Sequence, residues 1–160
     1  MTEKHLSTQF DAELSGLSTR VLEMGGLVES QVALAVQALV NLSSEVAIQV
    51  ATQETRVNSM EIGIDRDLST IIARRQPAAG DLRLLFAISK TITDLERIGD
   101  EAARIARTAQ RLIDSSASHP LRLPLRDLVF GSELATGQLR IAEDASLELP
   151  AGMAEAAASR

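Results

Sequence analysis

No proline interrupts the first 76 residues, and along them Phe10, Leu14, Leu17, Val21, Met24, Val28, Ala35 and Leu42 recur at steps of three, four or seven. That spacing is the apolar seam of one long helix. From about Leu6 to Leu42 it spans roughly 50 Å at ~1.5 Å per residue. Gly25 and Gly26 are its weak points, and Asn41, Ser43 and Ser44 supply a turn and an N-cap. A second seam, Val46, Val50, Val57, Met60, Ile64, Leu68 and Ile71, runs to Arg74, Arg75 and Gln76, where Pro77 forces a break. Asp81 starts a third segment, with its seam in Leu85, Ile88, Ile92, Leu95, Ala102, Ile105, Ala109 and Leu112. Connections this short place neighbouring helices side by side and antiparallel.

The spacing therefore predicts an all-α fold with a three-helix bundle over residues 1–113. Residues 114–124 carry Asp114, four serines or small neighbours, Pro120 and Pro124, and read as a linker. A weaker pattern in Leu125, Leu128, Ala135, Leu139 and Ala142 predicts one further helix to about Leu147, followed by a fraying alanine-rich tail within a partial second bundle, 125–160. The apolar side of this fourth helix needs cover from the first bundle or from another copy, which predicts a homodimer or larger oligomer.

Composition narrows the function. Aromatic residues make up 2% of the chain, which disfavours a β-sandwich or barrel. With 22 acidic against 16 basic side chains and no basic cluster interleaved with aromatics, nucleic acid is a poor partner. The absence of cysteine removes disulfides and thiolate zinc sites, and no apolar run approaches the ~20 residues of a membrane span. A cytoplasmic protein with no membrane insertion is expected. His5 and His119 stand in no ligand spacing, and no phosphate-binding glycine loop or nucleophile elbow occurs, so no catalytic residue is assigned.

The chemistry concentrates in Asp94-Leu95-Glu96-Arg97-Ile98-Gly99-Asp100-Glu101. Glu96 and Asp100, four apart, share a helix face and repel unless something positive compensates. Glu61 and Asp65 repeat the spacing on the second helix, with Asn58 one turn earlier. A hairpin near residue 78 sets Glu61 opposite position 95 and Asp65 opposite position 91, so the two pairs edge one groove. Four carboxylates without histidine or thiol are a hard-ligand set suited to Mg²⁺, Ca²⁺, Mn²⁺ or oxo-bridged iron. The competing reading is a solvated acidic face balanced by Arg97, Arg104 and Arg66. Gly99 is read either as tolerated by chance or as admitting a close neighbour. Met24 and Met60 sit on seams and read as core, and Arg74, Arg75, Arg83 and Lys90 as a solvated helix end.

Glu96-Arg97-Ile98-Gly99-Asp100, preceded by Ser89-Lys90-Thr91 and Asp94-Leu95, resembles the signature of the PhoU family, accessory and regulatory proteins of phosphate-specific transport. Met24-Gly25, Leu27-Val28-Glu29, Val57-Asn58 with Glu61 and Asp65, and Arg75-Gln76-Pro77 with Asp81-Leu82-Arg83 match in order. The resemblance implies a PhoU-like three-helix bundle and metal on Glu61, Asp65, Glu96 and Asp100, with Asn58, Asp94 and Arg97 in supporting positions. Iron, manganese or magnesium is the implied cofactor. It further implies a non-enzymatic negative regulator of the phosphate-starvation response, linking a phosphate transporter ATPase to a sensor histidine kinase. The alternatives are a metal-dependent phosphoester hydrolase and an inactive truncated fragment, since the family's fifth and sixth helices have no counterpart after Pro150.

Overall fold

The computed structural model describes residues 2–77, 79–115 and 124–158, with side chains described for 9–77, 79–115 and 124–142. Four helices follow one another: α1 (Thr2–Asn41), α2 (Ser44–Arg75), α3 (Ala79–Ser115) and α4 (Leu125–Ala158). His5, His119 and most of the expected linker lie outside the described side chains.

The boundaries follow local chemistry. Asn41 ends α1, and Leu42 takes a left-handed φ of 47° that reverses the chain. Ser43 then caps α2, its hydroxyl accepting from the Val46 amide at 3.4 Å. Leu42, placed on the apolar seam by spacing, is instead this turn residue and is exposed, because the reversal removes it from the helix. At the other end of α2, Gln76 adopts φ 46° and its backbone N–H donates to the Ile72 carbonyl. Pro77 cannot continue a helix, and the left-handed residue before it closes the last turn.

Helices α1, α2 and α3 pack on one another as a three-helix bundle. Its core has two parts. Toward the α2–α3 connection, large residues fill the axis: Leu17, Met24 and Val28 from α1, Val57, Ile64 and Leu68 from α2, and Leu85, Ile92 and Leu95 from α3. Toward the α1–α2 turn, small ones replace them: Ala35, Ala38, Ala47, Val50, Ala102, Ala103, Ala106 and Ala109. Large side chains hold helices apart, whereas alanine lets backbones approach, so the groove between helices changes character where the two parts meet.

The fourth helix packs on α1. Leu139 reaches the large-residue core, and Arg140 donates to Glu29 at 2.7 Å. The helix continues through Pro150, beyond the end near Leu147 expected from the sequence. Proline removes one backbone donor, but Ala151, Ala154, Ala156, Ala157 and Ala158 have the strongest intrinsic preference for helix. No helix among the described residues is long and apolar enough to cross a membrane.

Candidate functional site on the α2–α3 face

Between the two halves of the core lies a polar layer. Gln31 occupies the α1 seam between Val28 and Ala35 and is completely buried. Its side-chain amide donates to Glu54 Oε2 of α2 at 2.5 Å and to the Gly99 carbonyl of α3 at 3.3 Å, so one side chain ties all three helices. Gly99 makes this possible. A Cβ there would stand 2.9 Å from Gln31 Oε1, 3.3 Å from Val57 Cγ1 and 3.4 Å from Glu54 Oε2. Its backbone is ordinary helix, and what it supplies is room. Of the two sequence readings of Gly99, close approach is the one this geometry favours.

Outward from this layer the acids gather on neighbouring turns of α2 and α3. Burial raises the Glu54 carboxyl above its ordinary range, the Gln31 amide partly opposes this, and Asp100 and Glu96 push it further up. Burial likewise raises Glu96, with Asp100 and Glu61 adding repulsion and Arg97 partly relieving it. Asp100 and Glu96 therefore act on Glu54, and Asp100 and Glu61 act on Glu96.

Asp65 is exposed and is not among the charges acting on Glu54 or Glu96. Antiparallel geometry explains why. Once Glu61 and Glu96 face each other, a residue four further along each helix moves about 6 Å in opposite directions, so Asp65 and Asp100 diverge. The residue that meets Asp100 must precede Glu61 on α2, and it is Glu54. Asn58, between Glu54 and Glu61, is half-buried on the same edge.

The remaining expected partners sit outside this group. Arg97 pairs with Asp94 at 3.3 Å along α3, and Arg104 with Glu101 at 3.1 Å. Both pairs are solvent-exposed and worth little. Glu54, Glu61, Glu96 and Asp100 have no ion-pair partner among the described residues. Arg97 and Arg104, expected to balance this face, are thus engaged with Asp94 and Glu101.

Whether a cation suits this face can be judged from its oxygens. Gln31 Oε1, Glu54 Oε1 and Asn58 Oδ1 are buried and no donor reaches them. Unsatisfied buried acceptors are costly, and a hard cation satisfies oxygen acceptors without supplying a proton. Among the described residues no three acidic or histidine side chains converge closely enough to hold a metal on their own. Carboxylate and amide oxygens of this kind are donors that suit a hard cation.

Gln31 and Glu54 escaped the sequence reading. The signal for Gln31 was a polar residue on an otherwise apolar seam, at the step between Val28 and Ala35. Glu54 lacked an acidic partner at four residues, having Asn58 there instead.

Residues 21–109 match the PhoU domain family. A phosphate-specific transport system accessory protein PhoU homolog from a Burkholderia species is 56% identical over 117 residues, covering 73% of this chain and 50% of that protein. The accessory protein PhoU of Escherichia coli K12 is 48% identical over 125 residues, covering 78% of this chain and 52% of its own. The crystal structure of PhoU from Pseudomonas aeruginosa superposes with a TM-score of 0.80 at 42% identity, covering 87% of this chain and 65% of that one. The chain spans about half the length of the curated relatives it matches.

Proposed function

We propose, from the premise that this chain belongs to the PhoU family, that it is an accessory regulator of phosphate-specific transport. The observation that carries this reading is the 56% identity over 117 residues to an accessory protein of that system. The relatives' names describe accessory proteins, not enzymes.

In this reading the protein restrains the phosphate-starvation response by linking the transporter's ATPase to a sensor histidine kinase in the cytoplasm. The α2–α3 face is the docking element. Bare, it presents Glu54, Glu61, Glu96 and Asp100 as mutually repelling carboxyls. Iron, manganese or magnesium held there would neutralise that repulsion and offer coordination positions to a partner's oxygen donors. Glu96, Asp100 and Glu61 line the face, Asp65 extends its outer edge, and Asn58 adds an amide oxygen. Asp94 and Arg97, paired with each other, shape the rim. A homodimer through α4 completes the proposal: Phe130, Leu134 and Ile141 lie along one side of α4 and are 63%, 55% and 70% exposed.

The test is complementation. Expressed in a bacterial strain lacking its own PhoU and grown in ample phosphate, the chain should lower a phosphate-starvation reporter, and the Glu96→Ala/Asp100→Ala variant should lower it less. An unchanged reporter despite folded, soluble protein would refute the regulatory reading.

A further inference from the structure

The outer side of α2 carries a second row of residues. Ile48, Thr52, Thr55, Ser59 and Ile62 follow at alternating steps of four and three, and all are exposed, Ile48 by 65% and Ile62 by 57%. That alternation is the period of a helix that packs lengthwise against another helix. The hydroxyls between the two isoleucines are spent on α2 itself: Thr52 donates to the Ile48 carbonyl at 3.1 Å, Thr55 to Ala51 at 3.4 Å and Ser59 to Thr55 at 2.8 Å. With no free donor and no charge in the row, it borders an open hollow of about 500 Å³ lined by Ile48, Ala51, Thr52, Thr55, Arg56 and Ser59. The matching row is on α4. Phe130, Leu134, Gly137 and Ile141 run at steps of four, three and four, on the side of α4 away from Leu139, which reaches the core.

We propose that the α4 row of one copy seats on the outer row of α2 in a second copy, the two helices parallel, with each copy giving its α4 to the other's α2. This rests on the homodimer of the proposed function and names the surface that α4 meets. Size and charge set the pairing. With the rows in step, Phe130 lies beside Ile48, Leu134 beside Thr52, Gly137 beside Thr55 and Ile141 beside Ser59. Large aliphatic side chains then enter the hollow at the small residues, which is how two helices interdigitate without a void. Glu133 directly precedes Leu134, and Arg56 directly follows Thr55. In parallel helices of this period those flanking positions lie across from each other, whereas an antiparallel pair separates them onto opposite edges. Both side chains are exposed, and neither is in an ion pair among the described residues. Two α4 rows together would set bulk against bulk, and two α2 rows would leave both hollows empty. Reciprocal use of one large and one small row covers all four and closes the pair.

The full chain contains no cysteine, so single introduced cysteines report contacts without background. The experiment mixes the Thr52→Cys and Leu134→Cys variants, adds a short thiol-to-thiol crosslinker and follows the covalent dimer, with light scattering and cooperative melting recorded for every sample. The mixture should crosslink, and neither variant should do so alone. Separately, Arg56→Glu and Glu133→Arg should each weaken the dimer about fivefold, and the two changes combined in one chain should restore it. Crosslinking of Leu134→Cys to itself would set α4 against α4 and overturn the pairing while leaving the homodimer intact. So would a folded, dimeric mixture that does not crosslink, or charge reversals whose effects add instead of cancelling. Should a cysteine variant lose the dimer, the charge reversals decide alone. A monomeric wild-type chain would instead remove the homodimer itself, and this inference with it.

Discussion

Gln31 Oε1 lies 2.9 Å from the point where a Cβ on Gly99 would stand, so a polar side chain of α1 occupies the space that a methyl on α3 would need. Glycine in a helix interior costs about 1 kcal/mol relative to alanine, and Gly99→Ala would recover that. Forcing a methyl against a side chain with no exposure costs about 1–3 kcal/mol. The second effect wins, and Gly99→Ala is expected to destabilise the chain by about 1 kcal/mol, read as a lowered melting temperature.

Gly26 supplies the control. It lies within α1, is exposed, and a Cβ there meets nothing within 4 Å. Gly26→Ala should therefore raise stability by about 0.5–1 kcal/mol, a rise of a few degrees in melting temperature. Equal responses at the two glycines would show that Gly99 is not serving as a point of close approach.

The two halves of the core should respond oppositely to size. Met24 is fully buried in the large-residue half, and Met24→Ala should cost about 2–5 kcal/mol by leaving a cavity. Ala106 is 3% exposed in the small-residue half, where Ala106→Leu should cost about 1–3 kcal/mol by forcing helices apart. Urea denaturation of both variants checks this.

Stability without metal should depend on pH through Glu54. Its carboxyl is raised above the ordinary 4.5, chiefly by burial, so just above that pH the folded chain binds more proton than the unfolded chain. Where the folded state binds more protons, stability falls as pH rises. Glu54→Gln removes this contribution. Measured in chelator, the variant's melting temperature should gain on the wild type between about pH 5 and pH 7. A constant difference across that range would contradict the raised carboxyl.

The exposed side of α4 predicts solution size. If Phe130, Leu134 and Ile141 meet a second copy, light scattering should give a dimer for the wild type and a smaller particle for Ile141→Ser. No change in size would remove α4 from the interface.

Periodicity carried the three long helices of the bundle into the sequence reading almost unaltered. Most of the seam residues named from spacing on α2 and α3 are buried, with Val46, Met60, Ile105 and Leu112 only partly so, because burying a single apolar stripe against two neighbours is what makes a helix of this length stable. Ser43 and the Gln76-Pro77 pair marked the turns for equally local reasons. Leu42 escaped because the step of seven from Ala35 continued past the point where the backbone turned. At Pro150 the expected end of the helix is absent, because the alanines that follow favour its continuation.

The site was legible by half. Glu96, Asp100 and Glu61 can be named from their spacing on single helices, and the register of the hairpin sets Glu61 opposite position 95. Asp65 could not join Asp100, because antiparallel helices carry their i+4 partners apart.

What the sequence by itself determined was the set of helices, their order, their core faces and the acidic character of one edge. All of these depend on residues within a few turns of each other. Only the tertiary structure decided that Gln31, Glu54 and Gly99 form one layer, because that layer joins three helices at positions 23 and 68 residues apart. A buried amide, a carboxylate and a missing side chain are unremarkable along the chain, and acquire meaning only when packing leaves each of them no other partner.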